Sequence, residues 1–163
     1  MDTQCEIQTA FTFRDDREIR LDFEGGQITS DAGLLPLREF DHRIGFTDSI
    51  VACLDDDRHP SYVKHELAEL LIQRLYGVIA GYEDQNDAQL LRADGLFQLI
   101  AGNDQGEPLA SQPSLSRFEN SVSATENGAL NDLLLESFIA HHHPPIIIID
   151  VDSTDDPAHG QQQ

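Results

Sequence analysis

Apolar and polar side chains alternate from Glu6 to Phe13 and again from Glu18 to Phe23, the two-residue period of strands with one buried face. The charged Arg14-Asp15-Asp16-Arg17 between them reads as a turn, so residues 1–29 are expected to form an N-terminal β-hairpin region closed by Gly25-Gly26. From Ser30 the period lengthens. Leu34, Leu35, Leu37 and Ile44 recur at helical spacing behind a Ser30 cap, and Gly45 is a natural stop. A short helix is expected to follow from Thr47 to Leu54.

The longest helical stripe begins at Ser61: Val63, Leu67, Leu70, Leu71, Val78, Ile79 and Tyr82 are apolar, with Lys64, Glu66, Glu69, Gln73 and Arg74 placed mostly between them. That pattern predicts a helix ending near Gly81 with a broad apolar stripe facing a core. A second helix is expected from Asp87 to Leu99, interrupted near Asp94-Gly95, and turn residues from Gly102 to Pro108 mark a loop. Ser114 can cap a short helix reaching Val122. Ser123 with Glu126 forms a capping-box pattern for a long helix from Ala124 to His141, its inward face Leu130, Leu133, Leu134 and Phe138 with Ser137 beside them.

Beyond Pro144-Pro145 the pattern changes to Ile146-Ile147-Ile148-Ile149-Asp150-Val151-Asp152, a β-branched run suited to a strand buried on both faces. Such a strand needs partners, and Ser153 to Gln163 supply no second one. Asp150 and Asp152 occupy alternate positions and would share a face. Two readings stay open: carboxylates at the open end of a strand are good metal ligands, and the same residues with Ser153 and Thr154 can simply end the strand in a turn.

Composition narrows the function classes. Among 163 residues, 39% are hydrophobic, enough for one domain with a core. No apolar run approaches the ~20 residues that span a bilayer and the N-terminus lacks a basic and an apolar region, so a soluble cytoplasmic protein is expected, with no membrane partner. Cys5 and Cys53 have no CxxC partner and read as reduced thiols. Thirty acidic against ten basic residues give a net charge of -20, and no segment is basic overall. Because Lys and Arg supply most nonspecific affinity for nucleic acid, weak DNA binding is expected of the isolated chain. Asp55-Asp56-Asp57 lacks the Gly and distal Glu of a calcium loop and reads as a solvated turn. Consecutive helical residues point about 100° apart, so His141-His142-His143 cannot readily share one ion.

Five segments nevertheless fall in register with one known family. Thr29 to Glu39, Glu69 to Arg74, Gly81-Tyr82-Glu83-Asp84-Gln85-Asn86-Asp87, Ala110 to Asn120 and Asp150 to Gly160 together resemble the group 1 DDE-domain transposases of bacterial insertion sequences. The resemblance implies a mainly α fold: the hairpin region, a helical N-terminal region at 30–143, and at 144–163 the first strand of an RNase H-like α/β core. It implies DNA transposon ends as partner and an acidic triad holding Mg²⁺ or Mn²⁺, as in metal-assisted phosphodiester chemistry. The first triad aspartate would be Asp152, or second choice Asp150, as catalytic and metal-binding residue. Gln112, Arg117 and Asn120 are the residues that could approach DNA, while Leu115 and Phe118 would anchor their helix. The second aspartate and the glutamate of the triad are not found here, so a truncated, acidic mobile-element fragment with weak or no metal binding and no activity alone is expected. The rival expectation is a noncatalytic module that pairs with a full-length transposase through its unpaired strand.

Overall fold

A computed structural model describes residues 9–13, 17–21, 29–103, 106–143 and 146–148. Two short strands, β1 (Thr9–Phe13) and β2 (Arg17–Leu21), pair antiparallel with Thr9 opposite Leu21 and Phe13 opposite Arg17. Among the described residues seven α-helices follow: α1 (Leu34–Ile44), α2 (Phe46–Val51), α3 (Leu67–Ile79), α4 (Ala88–Leu91), α5 (Gly95–Ala101), α6 (Gln112–Ser121) and α7 (Ala124–His142).

Local chemistry explains the boundaries. Gly45 takes a left-handed conformation, φ 67°, which lets its N–H donate to the Asp41 carbonyl at 2.8 Å, ending α1 and starting α2. At the Asp94-Gly95 interruption the Asp94 carboxylate accepts the N–H groups of Leu96 and Phe97 at 2.8 and 3.0 Å, so the expected single helix from Asp87 to Leu99 becomes α4 and α5. The helix expected from Ser61 starts later, at Leu67, because Pro60–Tyr62 form a 3₁₀ turn instead. α7 starts on the expected capping box, Ser123 and Glu126 each bonding the other's backbone N–H.

α3 is the central element. Its Ile72 and Tyr76 pack with Leu34 and Leu35 of α1, Leu91 of α4, Leu96, Phe97 and Ile100 of α5, and Leu109. One turn away, Leu70 joins Ala88, Ala110, and Leu115 and Phe118 of α6 in a second cluster. Which face of α3 is buried differs from the sequence expectation: Val78 and Ile79 are 44% and 49% exposed, whereas Gln73 is 2% exposed. The side chain of Gln73 reads the Ala110 peptide in both directions, its Nε2 donating to the carbonyl and its Oε1 accepting the N–H, both at 3.0 Å. A fully paired amide can occupy a core position that apolar periodicity assigns to carbon.

Two further expectations are corrected. The expected fold class, a helical chain with a β-hairpin and the opening strand of an α/β core, gives way to a body in which every buried residue described lies between Leu34 and Phe118, on the helices or the loops that join them, with no strand. Ile146–Ile148 form no strand and are 76%, 54% and 90% exposed, the opposite of the burial their β-branched run suggests. A lone apolar segment without a partner strand has nothing to accept its backbone hydrogen bonds, so pattern alone does not make it a strand. α7 is the other correction. None of its residues is buried, and Leu134, Leu135, Phe138 and Ile139 are all exposed.

Candidate functional site

Charged groups in the helical body fall into two kinds, those consumed by the fold and those left to solvent. At the α1–α3 contact the buried Asp41 carboxylate accepts from Arg38 Nη1 and the Thr47 N–H at 2.8 Å, from Tyr76 Oη at 2.9 Å, and from the Thr47 hydroxyl. Arg38 is itself anchored, its Nε donating to the Ile100 carbonyl at 3.1 Å. Burial alone would raise the Asp41 pKa; the bonds from Thr47, Tyr76 and Arg38 outweigh it and hold the carboxyl below its ordinary value. The Tyr76 hydroxyl moves the other way, raised first by burial and then by its bond to that carboxylate. Every group here is satisfied and enclosed, which makes this a structural clamp with no open coordination or reaction site.

A second network joins the segments 81–87 and 110–120. Arg74 of α3 donates from Nε to the Glu119 carboxylate of α6 and from Nη2 to the Glu83 carbonyl at 3.0 Å. Gln85 donates to the other Glu119 oxygen and accepts from Gln112 Nε2 at 3.4 Å. Asp84 closes the turn by accepting the Asn86 N–H at 2.9 Å, which draws its pKa down. Two segments far apart in sequence are thus fastened onto one face of α3.

Beside this junction a cleft of about 580 Å³ opens between α6, the lead-in to α3 and the loop 55–58. Leu67, Leu70 and Phe118 supply its apolar lining, Tyr62 and His65 its ring-bearing lining, and Lys64 and Arg117 line it alongside Asp55, Asp56, Asp57 and Glu126. The loop wall is braced. Arg58 forks onto both Asp56 oxygens at 2.6 Å and reaches the His65 carbonyl at 3.0 Å, while the Asp55 N–H donates to Glu126 Oε1 at 2.8 Å. The pKa values of Asp56 and Glu126 are held low, the first chiefly by Arg58 and the second chiefly by the Asp55 N–H.

A family model for the transposase DDE domain, group 1, matches residues 11–163. The chain belongs to the group 1 DDE-domain transposases. No curated protein and no solved structure matches it. Membership implies DNA binding and divalent-metal dependence as general properties of such transposases.

Against that family, the three residues expected to approach DNA part company. Gln112 is half-buried and tied to Gln85, and Asn120 folds its Nδ2 back onto the Ser116 carbonyl of its own helix at 2.7 Å. Arg117 is exposed, makes one long bond to Ser114 Oγ at 3.3 Å, and lines the cleft. Leu115 and Phe118 are buried and anchor α6. Asp150 and Asp152 lie outside the described residues. Among the described residues no three His, Cys, Asp or Glu side chains are placed to hold a metal ion. No described helix is long and apolar enough to cross a membrane.

Lys64 and Tyr62 belong to no motif that marks them for this cleft. A signal existed: Lys64 is the chain's single lysine, and it follows an aromatic residue in a loop after three carboxylates. Gln85 and Glu119 were visible only as parts of motifs, since nothing in their spacing says they will meet.

Proposed function

We propose that these 163 residues are the DNA-handling N-terminal portion of a DDE transposase, with a hairpin region at 1–29, a helical region at 30–143 and the start of the catalytic core at 144–163. The family match, which runs through the acidic segment 150–160, carries this reading. The bonds from Gln85 to Gln112 and Glu119 support it, because they fasten two of the family-like segments side by side. Asp152 is the first triad carboxylate in this reading and Asp150 the alternative, with Mg²⁺ or Mn²⁺ the metal of the intact family. One or two carboxylates hold such a hard cation weakly, since several oxygen ligands are normally needed. In this reading, which puts the protein in the cytoplasm, these residues contribute weak DNA binding, and the carboxylates of 150–152 by themselves do not support strand cleavage.

The test is a nicking assay on supercoiled plasmid with Mg²⁺ or Mn²⁺. No relaxed or linear product is expected; nicking that disappears in Asp152→Ala would overturn the assignment of an inactive portion.

One observation favours a second reading, a noncatalytic module that pairs with a full-length transposase. α7 presents Leu134, Leu135, Phe138 and Ile139 to solvent, and exposed apolar residues concentrated on one element commonly mark an interaction surface. Co-purification with an intact family member, lost in Phe138→Ser, is the expected result; a monomer indifferent to that partner would remove this reading.

A further inference from the structure

The basic residues of the helical body are almost all committed. Arg38, Arg43, Arg58 and Arg74 each hold a carboxylate, and Arg92 donates to the Leu109 carbonyl at 3.2 Å. Among the described residues outside the hairpin, that leaves Lys64 and Arg117 without a carboxylate or carbonyl partner, and both line the 580 Å³ cleft. In a chain of net charge -20, these two cations line one cavity with Arg58, whose guanidinium is already held by Asp56, so among the described residues outside the hairpin this cleft offers an anion two uncommitted bases.

The rest of the lining narrows the anion. Leu67, Leu70 and Phe118 give an apolar floor, and Tyr62, 86% exposed and steadied by the His59 ring at 5.7 Å, gives an aromatic surface with an uncovered face. An inorganic anion needs neither. A duplex would bring a row of phosphates past Asp55, Asp56, Asp57 and Glu126, where like charges oppose it. The volume lies within the ~300–1,000 Å³ of small-molecule sites, ample for one nucleotide.

Resting on the DNA-handling reading above, we propose that this cleft holds a single nucleotide of unpaired DNA. Its phosphate lies against Lys64 and Arg117 and its base against Tyr62 and the apolar floor. The carboxylates of Asp55 and Asp57 accept no hydrogen bond from the described residues, and acidic side chains accept from the exocyclic amino group of cytosine. Thymine has no exocyclic amino group, so cytosine is preferred over thymine.

The test measures fluorescence anisotropy of labelled single-stranded oligo(dC), oligo(dT) and a duplex of equal length with the full chain across a salt series. Oligo(dC) is expected to bind tightest. Lys64→Gln and Arg117→Ala should each weaken it several-fold and flatten the salt slope by about 0.7, the share of one phosphate contact on a single strand. Tyr62→Ala should weaken it by about fivefold or more with the slope unchanged. Lys64→Arg should restore binding, and Arg43→Ala, a surface base held by Glu39, should match the parent chain. Binding that ignores Lys64→Gln and Arg117→Ala, or that favours the duplex, overturns the nucleotide cleft and leaves the DNA-handling reading standing. Failure of the parent chain to bind any oligonucleotide overturns both.

Discussion

Asp41 and Arg117 are both charged, both helical and about equally dispensable to an apolar pattern, yet the fold treats them in opposite ways. Asp41 is 6% exposed and accepts from three side chains and one backbone N–H. Arg117 is exposed and has a single long bond to a serine on its own helix. The difference teaches where to look for function in an acidic chain. Burial of a charge costs several kcal/mol unless it is fully paired, so the clamp around Asp41 exists to be satisfied. A cation that the fold leaves unpaired, in a protein with so few, costs little stability and remains available to a ligand.

The comparison can be broken from the clamp side first. Asp41→Ala leaves Arg38, Thr47 and Tyr76 facing each other without their acceptor and should destabilise the chain by about 3–5 kcal/mol in urea denaturation. Gln73→Leu removes both bonds to the Ala110 peptide and should cost about 2–3 kcal/mol. A cost under about 0.5 kcal/mol would show that the amide is not what holds Ala110 to α3.

Smaller effects sharpen the contrast. Tyr76→Phe deletes one donor to a charged acceptor and should cost about 1–2 kcal/mol. The depressed pKa of Asp41 makes this clamp acid-sensitive. A lowered folded-state pKa contributes stability that is present above the ordinary 3.8 of an aspartate and disappears as pH falls through the lower folded value. Urea midpoints should therefore drop between about pH 5 and pH 2, and drop less steeply in Asp41→Asn. Arg117→Ala stands last, with an expected change within about 0.5 kcal/mol, because an exposed side chain with one weak bond contributes little to folding.

Much of the helical layout was legible from residue chemistry. Gly45 and the Ser123–Glu126 box were readable because caps act within a few residues of backbone, and the Asp94-Gly95 break was readable as an interruption. The burial of Gln73 depends on Ala110, 37 residues away, which periodicity does not see. α7 was given a core-facing side because its apolar residues recur at helical spacing, but spacing says only that a face exists and not that another element covers it. The same limit applied to Ile146–Ile148. Of the candidate site, Arg117 was visible as an exposed base on a capped helix, while Lys64 and Tyr62 join it only through the packing of α6 beside the start of α3.

The most direct measurement is a paired one on Tyr76→Phe and Arg117→Ala, taking thermal midpoint and single-stranded oligonucleotide affinity from the same preparations. A crossing is expected: a lowered midpoint with unchanged affinity for Tyr76→Phe, and an unchanged midpoint with several-fold weaker affinity for Arg117→Ala. If both variants lose stability and affinity together, or if Arg117→Ala leaves affinity intact, the separation of a structural clamp from a ligand-facing cleft is wrong.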